Sequence, residues 1–190
     1  MINNVVEYVV SQLNDHIKSL TGEQQDSVVA ASLVKPDGQP NQKAEEKVAV
    51  AVVNVETDRV YHSVETIVRR ADGTNAAVHP EIQINLYLLF AANLAQYVEA
   101  LKAISRVIAF FQRNPAVEYG SIPVPGNPKR RIVFELFSPT FEQQNHLWGA
   151  MGTKYVPSVL YKAGLLGISG DEVLGEVPVV RDLEVGGRRM

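Results

Sequence analysis

Four histidines, His16, His62, His79 and His146, are the side chains of this sequence best suited to hold a metal or move a proton near neutral pH. No two of them share a metal-ligand spacing, and there is no HExxH. One pairing is worth weighing. Glu142 and His146 stand at i and i+4 on a predicted helix, where a carboxylate and an imidazole could work as an acid/base couple. A hydrogen bond on a helix surface explains the same spacing with less. The chain has no cysteine, which excludes disulfides and thiolate metal sites. It has no GxSxG nucleophile turn. The glycine-containing stretch 120–126 lacks both the Walker lysine and the GxGxxG spacing that cradles a dinucleotide. The sequence therefore offers no catalytic, cofactor-binding or metal-binding residue, and the expectation is a protein that is not an enzyme and needs no cofactor.

Lys129, Arg130 and Arg131 form the one notable basic run. They follow Pro123-Val124-Pro125-Gly126-Asn127-Pro128, which places them at a loop tip entering a strand. Such a run is either solvated or set against an acidic partner surface, and it is the candidate partner-binding element. No aromatic residues interleave with it, as a single-strand nucleic-acid groove would require. A net charge of −3 points the same way, away from nucleic acid.

These residues sit in a chain of 190, with 46% apolar and 21% charged side chains, enough for one globular core. The start lacks a basic region followed by an apolar stretch, so no signal peptide is expected. The longest uncharged apolar run, 82–94, is broken by Gln83, Asn85 and Asn93 and is shorter than the roughly 18 residues that span a bilayer.

The elements follow from periodicity. Val6, Val9, Val10, Leu13, Ile17 and Leu20 recur at helical spacing, with Gly22 as a stop. Residues 27–33 read as a strand, and 35–40 as a turn. Residues 47–56 are apolar on both faces, which predicts a central strand whose alanines admit a helix closely. Residues 57–79 are polar and read as a long loop or hairpin. Ile82, Ile84, Leu86, Leu88 and Phe90 alternate as a strand. The period then switches to a helix with a predicted stripe of Leu94, Tyr97, Val98, Leu101, Ile104, Ile108 and Phe111, ended by Asn114-Pro115. Residues 131–137 are a strand. Ser138-Pro139 then reads as N-cap and first position of a helix over 140–150 that carries Trp148. Strands are expected at 159–168 and 177–185. The predicted fold is α/β (α+β): a mixed, largely antiparallel sheet packed by amphipathic helices, in a single domain over 1–185 with a flexible tail at 186–190.

Two stretches resemble a known family. One is Ile84-Asn85-Leu86-Tyr87-Leu88-Leu89-Phe90-Ala91-Ala92-Asn93, continuing through Tyr97-Val98-Glu99-Ala100-Leu101 and Ser105-Arg106-Val107-Ile108-Ala109-Phe110-Phe111-Gln112. The other is Glu142-Gln143-Gln144-Asn145-His146-Leu147-Trp148-Gly149-Ala150-Met151-Gly152, then Lys154-Tyr155-Val156-Pro157-Ser158-Val159-Leu160-Tyr161-Lys162. Together they resemble the Pvc16 N-terminal domain family, which includes cap or tube-terminator proteins of phage-tail-like contractile injection systems. The resemblance implies a structural role: a six-fold homo-oligomeric ring on the distal end of an inner tube, contacting the inner tube protein and the sheath protein and ending their growth. It implies synthesis in a bacterial cytoplasm and a place in a particle that is released or anchored, with no nucleic acid bound and no membrane insertion. It carries across no catalytic residue. The alternatives are a baseplate or adaptor protein of the same particle, and a small hydrolase using Glu142 and His146.

Overall fold

The computed structural model describes residues 2–57, 66–69, 75–78, 82–118, 131–168 and 173–177. The first helix, α1 (Ile2–Thr21), buries Val5, Val6, Val9, Leu13 and Ile17 along one side, as the spacing predicts, while Leu20 at its end is exposed. Gly22, at φ +75°, ends the helix and donates its N–H to Lys18 O at 2.9 Å. Asn14 is the buried polar residue of α1, and its amide explains how the helix meets the sheet. Asn14 Nδ2 donates to Val28 O and Val28 N–H donates to Asn14 Oδ1, both at 2.9 Å. The side chain thus imitates a neighbouring strand for the first residue of β1 (Val28–Ala30).

The main sheet has six strands in the order β1-β2-β5-β8-β7-β6, with β2 at Lys47–Thr57, β5 at Ile82–Asn93, β6 at Ala116–Glu118, β7 at Arg131–Phe137 and β8 at Ser158–Ile168. β1 lies parallel to β2, and the pairs β2–β5, β6–β7 and β7–β8 are antiparallel. Ala92 N–H donates to Pro157 O, and Asn85 Oδ1 lies 3.3 Å from where a Cβ on Gly164 would stand. The end of β5 is therefore beside the start of β8, and this pair is antiparallel too. The sheet is mixed and largely antiparallel, as expected. β2 is internal, as its two apolar faces predict, and a bulge at Val53 shifts its register against β5.

Helices cover both faces. On one, α1 and α2 (Tyr97–Arg113) bury Val48, Val50, Leu86, Leu88, Phe90, Ile132 and Phe134. Phe111 of α2 is the hub, with ring centroids 5.3 Å from Phe90, 4.9 Å from Phe134 and 4.3 Å from Tyr161, so one side chain ties the helix to three strands. On the other face, Trp148 of α3 (Phe141–Met151) packs with Ala49, Leu89, Ala91 and Leu160. The alanines leave room for that approach.

Three expectations need correction. The core stripe of α2 is Ala100, Ala103, Ile104, Val107, Phe110 and Phe111, while Tyr97, Val98 and Leu101 are exposed. The larger side chains suggested the wrong face, because alanines pack where the helix comes close to α1 and the sheet. α3 starts two residues later than Ser138-Pro139 predicts. Thr140 is the N-cap, in a capping box with Gln143: Gln143 N–H donates to Thr140 Oγ1 at 3.2 Å, and Thr140 N–H to Gln143 Oε1 at 3.0 Å. Two reciprocal bonds outweigh what a lone serine cap and a proline offer. β1 keeps only three residues of the predicted 27–33 strand. The last described strand, β9, is Val173–Val177; beyond Val177 the predicted strand 177–185 lies outside the described residues.

The residues fall into two compact units, 1–57 with 84–166, and 58–83 with 167–190. In the second, β3 (Thr66–Arg69) and β4 (Asn75–Val78) form an antiparallel hairpin, and β4 pairs antiparallel with β9. The polar stretch 57–79 thus contains the hairpin that was one of its two readings. Residues 178–185 and the predicted tail 186–190 lie outside the described residues.

Candidate interaction surfaces

The two predicted chemical elements separate in the structure. Glu142 and His146 lie on α3, both exposed, and line none of the three grooves described below. Among the described residues no group of three or more His, Asp or Glu side chains could hold a metal ion. Of the basic run, Lys129 and Arg130 lie outside the described residues. Arg131 opens β7, exposed, opposite Glu118 of β6.

What the sequence missed is apolar surface. Phe141 at the first position of α3 is 93% exposed, and Leu136 at the end of β7 is also exposed. A recess of about 260 Å³ is lined by Leu136, Pro139, Leu147, Trp148 and Val159 together with Ser138, Gln144 and Ser158. At the start of α2, Tyr97 is 64% exposed beside Val98 and Leu101. An open polar groove of about 610 Å³ runs there between the 35–46 segment and the helix start. Glu46 shapes its floor. It adopts φ +52°, unusual for a residue with a Cβ, and its Oε1 accepts from Ala95 N–H at 3.1 Å. A third groove, about 440 Å³, lies between the first turns of α1 and β2 and is lined by Ile2, Val6, Glu7, Ala30, Val50 and Val52. The signal for the α2 patch was in the sequence: Ala100, Ala103 and Val107 sit at helical spacing and define a second stripe that displaces Tyr97, Val98 and Leu101 outward.

Charged groups near these surfaces form ordinary exposed pairs. Lys18 Nζ lies 2.7 Å from Asp26 Oδ1, and this contact lowers the Asp26 pKa below the usual carboxylate value. Lys102 does the same for Glu99 at 2.8 Å. Among the described residues no helix is long and apolar enough to cross a membrane.

The fold is a mixed-sheet α/β architecture with helices on both faces. The chain belongs to the Pvc16 N-terminal domain family, which it matches over residues 4–182. No curated protein matches the sequence. Two solved structures share the fold. One is the sheath/tube terminator, in its extended state, of an extracellular contractile injection system, PVC: TM-score 0.57, 12% identity, covering 95% of this chain and 64% of that one. The other is the anti-feeding prophage cap, the AFP tube terminating cap: TM-score 0.56, 17% identity, covering 91% of this chain and 58% of that one. This chain thus spans about three fifths of the length of each.

Proposed function

We propose that this chain is the terminator, or cap, of a contractile injection particle: it binds the distal end of the inner tube and of the sheath and ends their growth. The observation that carries this reading is the family match over residues 4–182, with the fold shared over nine tenths or more of this chain by a sheath/tube terminator and a tube terminating cap. The role is structural, performed by binding alone, and the domain is taken as 1–185. The partners are further copies of the chain in a six-fold ring, the inner tube protein and the sheath protein, with no nucleic acid. A terminator must bind the tube end better than another tube ring does and present no tube-binding face beyond itself. Repetition of one modest contact around a ring supplies the first requirement.

Lys129, Arg130 and Arg131 are the electrostatic part of that contact. Each exposed charge pair is worth about 0–1 kcal/mol, and six copies sum. The test is the length distribution of particles. Without this protein, tubes and sheaths are expected to lose their uniform length. Reversing the three charges to glutamate weakens capping and makes it more salt-sensitive. Uniform, capped particles lacking this chain would overturn the reading; unchanged capping by the triple variant at several salt concentrations would remove only the basic run.

A further inference from the structure

The sheet ends on a strand much shorter than its neighbour. β1 covers β2 only through Ala30↔Val50, whereas β2 continues to Thr57. Val48 N–H donates to Ser27 O, and Val50 O accepts from Ala31 N–H at 3.1 Å, so alternate residues of β2 turn their main-chain groups toward β1. By the same alternation Val52 presents its N–H and C=O on that side. Among the described residues no strand pairs there beyond Val50. The side chains along this stretch do not protect it. Val52 is 37% exposed and Val55 50%, and no lysine or proline interrupts residues 48–57. Beside the edge lies the 440 Å³ groove under α1, apolar except for Asn3, Ser32 and Glu7. The main-chain groups of Val52, just ahead of the bulge at Val53, with an apolar trough beside them, fit an extended strand, not a helix or a small molecule.

One segment of this chain matches that trough in pattern and charge. In residues 178–185, Val179, Leu183 and Val185 alternate with Val180, Asp182 and Glu184, and Arg181 falls on the same side as the apolar set. Laid along β2 with the apolar set toward α1, the segment brings Arg181 to the side of the trough where Glu7 is the charged residue. We propose that residues 178–185 of a second copy of this chain add as a strand to the open edge of β2. Donor and acceptor are different surfaces, so the contact is head-to-tail. It closes into a ring, of which reciprocal exchange between two copies is the smallest, or it propagates. This deepens the ring reading above and relies on it only for the number of copies.

The absence of cysteine makes the test clean. Two full-length variants, Val52→Cys and Leu183→Cys, carry different tags, are purified separately and mixed at high concentration with a short bis-maleimide. A heterodimer joined through both tags is expected, at least about tenfold above a Leu20→Cys and Leu183→Cys control, since Leu20 is exposed at the opposite end of α1. Arg181→Glu should reduce the cross-link about fivefold, equivalent to about 1 kcal/mol, and Glu7→Arg in the partner should restore it. Two results would overturn the proposal: no cross-link on mixing, or a cross-link no stronger than that of the Leu20→Cys control. The cap reading survives either of these if six-fold density for this chain is still found at the tube end. It fails separately if the cross-link forms but the particle lacks the chain.

Discussion

Asn14 is the residue whose loss should be felt most for its size. It pairs with both main-chain groups of Val28 inside the protein. Asn14→Ala would strand a buried donor and a buried acceptor, for a cost of about 1–3 kcal/mol each, relieved in part by water entering from the open end of β1. Urea denaturation checks this; a loss below about 0.5 kcal/mol would show that the bridge contributes nothing. Two residues of α3 should behave in opposite ways. Trp148 is 6% exposed, with Tyr155 edge-on at 5.3 Å, so Trp148→Ala should cost about 3–5 kcal/mol. His146 is exposed two positions away, so His146→Ala should leave stability and capping unchanged. A folded His146→Ala protein that no longer caps would revive an active role for that side chain. Trp148 was legible because a lone large aromatic between Leu147 and Met151 belongs in a core. Asn14 was not, because nothing in a sequence separates a buried asparagine from a surface one until the strand it serves is placed.

At the scale of elements, a chain of polar contacts crosses the sheet surface from β2 to β8. Tyr87 of β5 donates its hydroxyl to Glu56 Oε2 at 2.8 Å, Lys162 Nζ of β8 lies 3.9 Å from the same oxygen, and Phe137 of β7 stands edge-on to the Tyr87 ring at 5.2 Å. Burial, then the bond to Glu56 and its charge, raise the Tyr87 pKa above the ordinary value of 10.0, and burial raises Tyr161 likewise. The folded state therefore holds these protons more tightly than the unfolded chain does. Their contribution is fully present below about pH 10 and is lost as pH rises through the folded values. Denaturation midpoints should be flat from neutral pH to about 9 and fall above 10, and Tyr87→Phe should blunt that fall. An identical alkaline slope in Tyr87→Phe would assign the effect to other groups. The strands in this chain of contacts were readable from alternation alone, as was α1. The α2 face and the α3 cap were not. Stripes of bulky residues and of alanines compete at the same spacing, and only packing against α1 decides between them. The reciprocal Thr140–Gln143 pair likewise competes with an equally plausible serine and proline cap two residues earlier.

The whole molecule shows why the long polar stretch after β2 resisted reading. Thr57 and Ile84 are partners across the β2–β5 pair, so the chain leaves the main sheet and rejoins it at one place. What happens in between was legible only as loop or hairpin, because a three-stranded sheet completed by β9, a strand nearly a hundred residues later, leaves no local trace. The surface candidates were legible to a similar extent. The basic run is plain in the sequence, while the open edge of β2 exists only because β1 stops at Ala30.

That shared exit and entry has a practical consequence. Residues 58–83 can be excised and the gap closed with an Asn-Gly turn, which suits two antiparallel strands ending side by side. The expected product still unfolds cooperatively and keeps the near-ultraviolet signal of Trp148. Loss of that signal would mean the main sheet cannot close by itself. A join that tolerates removal also tolerates replacement, so the position is a graft point. A foreign loop of any length whose ends meet could be spliced there, and wherever this chain sits in a particle, that place would display it.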